Sequence, residues 1–91
     1  MSDPGHRPTV RDDLTIVELD GEAVVYDEIS AELHHLNPSA TIVLSLCDGK
    51  RTVSAMAEAV SDAFGLALDD VAPQVHSVVE RFAEAGLLAG V

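Results

Sequence analysis

A chain of 91 residues holds one domain with one core and is too short for two cores or a deep enclosed active site. Apolar residues make up 47% of it, but with one Tyr, two Phe and no Trp the core must rest on Val, Leu, Ile and Ala, and stacking of aromatic rings on nucleic-acid bases is disfavoured. Sixteen Asp and Glu against five Lys and Arg give a formal charge of −11, which repels phosphate backbones and anionic lipid headgroups.

Residues 1–13 carry Pro4, Gly5 and Pro8 among polar residues and show no apolar period, so they are expected to form a flexible arm ahead of a folded domain at 14–91. They lack the apolar centre of a signal peptide, and no apolar run in the chain approaches the ~18 residues of a membrane span. The expectation is a cytoplasmic protein.

Residues 15–19 (Thr-Ile-Val-Glu-Leu) are β-branched and apolar, Asp20-Gly21 supplies the turn, and residues 23–26 (Ala-Val-Val-Tyr) follow, which is the pattern of a hairpin. After a second turn, residues 32–36 (Glu-Leu-His-His-Leu) add a short third strand that Asn37-Pro38 stops, leaving a free edge. The period then changes. Asn37 caps and Pro38 opens a first helix carrying Ala40, Val43, Leu44 and Cys47, ended by Asp48-Gly49. Thr52 caps a second, with Val53, Met56, Ala57, Val60 and Phe64 on one face and Gly65 at its end. Asp69 or Asp70 caps a third, with Pro73 in its first turn and Val71, Val75, Val78, Val79 and Phe82 on a broad stripe that Gly86 closes. The predicted fold is α+β, winged helix-turn-helix-like: a three-stranded antiparallel sheet followed by three helices.

Little in this pattern points to chemistry. His34 and His35 are neighbours in a strand and point to opposite faces, so they do not share a metal. His76 lies four residues from Glu80 on an exposed helix face and is read as a solvated pair. The lone Cys47 rules out an internal disulfide or a CxxC pair and is read as buried. No serine sits in a nucleophile elbow and no glycine-rich phosphate loop occurs, so neither an enzyme nor a cofactor or metal site is expected. The helical half resembles a DNA reader in outline, but the third helix offers Asp69, Asp70, Glu80 and Glu84 against Arg81, the wrong balance for a duplex. Charge is also unevenly spread: nine acids and no Lys or Arg lie between Arg11 and Lys50, a half suited to a basic or neutral partner.

Four pieces in order, Val24-Val-Tyr-Asp, Leu33-His-His-Leu-Asn-Pro, Asp48-Gly-Lys-Arg-Thr-Val and Ala85-Gly-Leu-Leu, resemble the PqqD-like family of precursor-peptide chaperones, also called RiPP recognition elements. The resemblance covers roughly residues 14–88, and the Leu-Asn-Pro step followed by Asp-Gly is its most specific part. It implies that the leader of a ribosomally made precursor peptide adds a strand between strand three and helix three, and that a modifying enzyme, often a radical SAM protein, then acts on the rest. Carried onto this chain, the peptide-binding residues are Glu32, Leu33, His34, His35 and Leu36 on the strand with Val71, Gln74, Val75, Val78 and Phe82 on the helix. A strand edge supplies backbone affinity and pockets supply selection. Glu32 and Gln74 at the rim would favour a basic peptide, and Leu36 and Phe82 are expected to serve the core as well. Two departures stand out: Ala31 where the family often has Gly before strand three, and His34-His35 where aromatic residues are frequent. The competing readings are a regulatory or assembly subunit without peptide cargo and, after it, a winged-helix DNA binder. A homodimer through the free strand edge is a further expectation.

Overall fold

The computed structural model describes residues 7–89, in the order β1 (Thr15–Leu19), β2 (Glu22–Asp27), β3 (Glu32–Leu36), α1 (Pro38–Leu46), α2 (Val53–Phe64) and α3 (Leu68–Glu84). The strands form one antiparallel sheet ordered β1-β2-β3, so the three-stranded sheet followed by three helices is as the sequence led us to expect. Asp20 and Gly21 both take positive φ, 52° and 83°, the pair of left-handed residues that a two-residue hairpin turn needs to match strand twist. The second turn is tied by the Ile29 N–H donating to Asp27 Oδ1 at 3.0 Å, and it ends on Ala31 at φ 60°. A Cβ in that region costs roughly 1–2 kcal/mol.

β2 alternates buried Ala23, Val25 and Asp27 with half-buried Glu22, Val24 and Tyr26, which defines an inner and an outer sheet face. The inner face meets a core of Leu36, Val43, Leu44, Met56, Val75, Val79, Phe82 and Leu87. Sheet and helices are joined mainly by α1, which packs on β2 and β3, while α3 packs on α2 and α1. Cys47 is buried beside α1, and burial pushes its thiol up to about 12. Among the described residues no helix is long and apolar enough to cross a membrane.

The first two helices start where the sequence places them. Asn37 Oδ1 accepts from the Ala40 N–H at 2.8 Å, and Thr52 Oγ1 from the Ala55 N–H at 3.1 Å. The third departs. It begins at Leu68 behind Ala67, which makes no side-chain cap, so neither Asp69 nor Asp70 is the cap. Both lie in the first turn, where carboxylates favour the positive end of the helix dipole. The N–H groups of Asp70 and Val71 already close on the Ala67 carbonyl at 3.0 and 3.1 Å, which moves Pro73 into the second turn.

The flexible arm expected over residues 1–13 is corrected at its C-terminal half, while residues 1–6 lie outside those described. Pro8 is buried, and Thr9 and Val10 form bridges to Asp48 and Leu88. The N–H of Val10 donates to the Cys47 carbonyl at 3.1 Å, that of Arg11 to Leu87 at 3.0 Å, and that of Ala89 to Thr9 at 2.7 Å. Gly49, at φ 78°, lets this segment in: a Cβ there would stand 2.5 Å from Thr9 Oγ1. The Arg11 guanidinium then reaches Asp27 Oδ2 at 2.9 Å, Asp13 at 2.9 Å and the Gly86 carbonyl at 2.8 Å. Hydrogen bonding to Arg11 holds both carboxyls below the usual Asp range. The segment has no periodic signal of its own because its partners lie far away in sequence.

Candidate functional site

β3 pairs with β2 on one side, in the register Val25 with His34 and Ala23 with Leu36, and with no other strand among the described residues. Directly opposed residues share a face, so His34 and Leu36 join the inner face with Val25 and Ala23, whereas Leu33 and His35 point outward with Tyr26 and Val24. Beyond the unpaired edge lies α3. The two are not packed tightly together, because α1 carries β3 and α2 carries α3.

The gap is a cleft of 410 Å³ walled on one side by Leu33, His34, His35, Leu36, Asn37 and Ala40, and on the other by Val78, Arg81, Phe82, Ala85 and Leu87. Leu36, Val78, Phe82 and Leu87 are buried and form an apolar floor, with Phe82 only 4% exposed. Leu33, 69% exposed, stands at the mouth. The Asn37-Pro38 cap fixes where β3 ends and α1 begins, and so sets the end of the cleft. One polar atom in this lining lacks a partner: His34 Nε2 is buried without a protein hydrogen bond. Such an atom costs about 1–3 kcal/mol, recovered when a ligand supplies the missing group. His35 is occupied differently, its Nε2 lying 3.0 Å from Glu22 Oε1 on the outer face.

Six of the ten residues expected at the site line this cleft: Leu33, His34, His35, Leu36, Val78 and Phe82. Glu32 is exposed at the start of the same strand, outside the lining. Val71, Gln74 and Val75 fall elsewhere. They line a second groove of 520 Å³ between the three helices, with Ile42, Val60, Phe64 and Leu66, and the two hollows share Val78. An α-helix turns through 3.6 residues, so a broad apolar stripe on α3 serves two sides, and periodicity alone does not say which residues face the strand. Gln74 is also turned back on its own helix, its amide donating to the Asp70 carbonyl at 3.2 Å. Arg81, Ala85 and Leu87 were not among the expected site residues, nor were Asn37 and Ala40. The signal for Arg81 was available, since it follows Val78 by three residues and is the lone basic side chain of α3.

The lining of the cleft holds no Ser, Thr, Cys, Asp, Glu or Lys, and among the described residues no group of three or more His, Cys, Asp or Glu is placed to hold a metal. What it presents is an unpaired strand edge beside an apolar floor, the arrangement that accepts an extended peptide as an added strand.

No curated protein sequence matches the chain. Two solved structures share the fold: "TbiB1 in Complex with the TbiA(beta) Leader Peptide", at a TM-score of 0.79 and 16% identity over 91% of this chain and 96% of that one, and "Lasso peptide synthetase B1 complexed with the leader peptide", at 0.76 and 17% over 90% and 96%. The family model described as Coenzyme PQQ synthesis protein D (PqqD) matches residues 22–88, a span that runs from β2 through the whole cleft to Leu88. The chain belongs to the PqqD family.

Proposed function

We propose that this protein is a non-catalytic adaptor that binds the leader of a ribosomally made precursor peptide as an added strand on β3 and presents the peptide to a modifying enzyme. The observation that carries this reading is the cleft itself, an unpaired edge at Glu32–Leu36 facing the C-terminal half of α3. Both structural neighbours are complexes with leader peptides. Backbone pairing along β3 supplies affinity that is largely independent of sequence, and selection falls to the apolar floor of Leu36, Val78 and Phe82 and to His34 Nε2. Arg81 at the wall gives a peptide carboxylate a partner, so the cleft is less hostile to acidic leaders than the net charge of −11 implies.

The family description concerns coenzyme synthesis and one neighbour is a lasso peptide synthetase, while both neighbours are bound to leader peptides, so leader binding and not the final product is what is carried to this chain. A radical SAM enzyme is the partner that the family resemblance implies.

The test is an amide NMR titration of the labelled protein with the leader half of a small precursor peptide encoded beside its gene. Shifts concentrated in Glu32–Leu36 and at Val78, Arg81, Phe82 and Ala85 are expected. Shifts confined to the groove around Val71, Gln74 and Val75 would move the site, and no shifts at saturating peptide would reject that peptide as the ligand.

A further inference from the structure

Antiparallel sheets with one face on a core ordinarily turn polar residues to solvent on the other. Here Val17, Leu19, Val24 and Leu33 share that face with Thr15, Tyr26 and the Glu22–His35 pair. The register sets Val17, Val24 and His35 in one row and Thr15, Tyr26 and Leu33 in the next, all on the face opposite the buried Ala23, Val25 and Leu36. Val17 and Leu19 are 47% and 62% exposed. Acids border these apolar residues, with Asp20 and Glu22 at the hairpin, Glu22 beside His35, and Glu28 exposed in the turn after β2. An apolar centre inside a charged rim is the anatomy of a protein interface.

We propose that this outer face docks the enzyme that processes the bound peptide, a folded protein whose contact strip is apolar and rimmed by Lys and Arg. The inference rests on the leader-binding reading above. Charge selects this occupant over a second copy of the chain: self-association through this face would press two acidic rims together, each on a chain of charge −11, whereas a basic rim is steered towards it. Position separates it from the leader. His34 and Leu36 face the core side of β3, and Leu33 and His35 face outward, so one strand is a wall shared by peptide and enzyme. An enzyme seated on Val17, Val24 and Tyr26 therefore lies within a strand or two of the peptide it must receive.

The experiment uses the full chain, its leader peptide and the peptide-processing enzyme encoded beside them. Val17→Thr with Leu19→Thr removes apolar surface while keeping β propensity, and Glu22→Lys inverts one rim charge. Leader affinity is read by fluorescence anisotropy, enzyme affinity by calorimetry at two salt concentrations, and folding by thermal unfolding. For both variants, leader affinity is expected to stay within about twofold of wild type. Enzyme affinity is expected to fall about tenfold or more for the double variant, and for Glu22→Lys by an amount that shrinks as salt rises. Unchanged enzyme affinity in both variants overturns the proposal, as does a wild-type chain that binds leader but no enzyme. A wild-type dimer that the double variant abolishes also overturns it, assigning the face to self-association. Absence of leader binding by the wild type overturns the reading beneath it.

Discussion

The two edge strands of the sheet are five residues each and both leave one side unpaired, yet they differ in what stands beside them. β1 is exposed along its whole length and is held at its entry by a polar contact, Arg11 to Asp27. β3 has α1 beneath it and α3 across a cleft, and is held at its exit by buried Leu36 and the Asn37 cap. On the proposed reading, an unpaired edge does not make a peptide site by itself; the helix that supplies a floor does.

The largest expected effect that would sharpen this contrast is on stability. Leu36→Ala should cost about 3 kcal/mol, in the range for a buried Leu, while Leu19→Ala should stay within about 0.5 kcal/mol. Urea unfolding of both decides it, and similar losses would mean that β1 is more than an accessory strand. Next comes the edge. His35→Pro removes a backbone donor from the free edge of β3 and should weaken leader binding about tenfold or more, whereas Glu18→Pro, on the free edge of β1, should leave it near wild type. Thermal unfolding of both variants separates loss of an edge from loss of the fold. Retained leader affinity in His35→Pro would break the comparison.

A smaller change is expected at the turn into β3. Ala31→Gly relieves the left-handed backbone and should stabilise the protein by about 1 kcal/mol, read as a shift in the urea midpoint. At the entry to β1 the effect depends on pH. Arg11 holds the Asp27 carboxyl below its ordinary range, so its contribution is fully present above the unfolded value near ~3.9 and is lost as pH falls through the lower folded one. Asp27→Asn should thus be less stable than wild type at pH 7, with the gap closing below about pH 4. A gap that persists into acid would assign the loss to packing and not to the ion pair.

These contrasts also show how much was legible in the residues alone. β2 extends one residue beyond the expected 23–26 at each end, while the limits of β1 and β3, the hairpin turn and two helix caps rest on signals within a few positions of one another, and all of these were readable. The start of α3 was not, because Ala67 carries no capping side chain and the neighbouring Asp69 and Asp70 look like better candidates. The docking of residues 8–11 was hidden for another reason: its partners are Asp48 and Leu88, distant in the chain, and Gly49 looked like an ordinary helix stop. At the candidate site, a period of two separates the two faces of β3, but the apolar stripe of α3 borders two hollows, Val71 and Val75 lining one, Phe82 the other and Val78 both, and sequence spacing does not divide them.

The bridge between Val10 and Leu88, with Ala89 donating to Thr9, means that the two ends of the folded unit emerge side by side. A unit with adjoining ends can be spliced into a surface loop of a larger polypeptide without stretching its host, and can be reopened elsewhere by joining those ends through a short linker. The turn at Asp20-Gly21 is the natural place to reopen it, because that cut leaves β3 and α3 untouched. The peptide capture proposed for this fold is accordingly portable: the unit can travel as a cassette, tethered or embedded, without rebuilding the cleft.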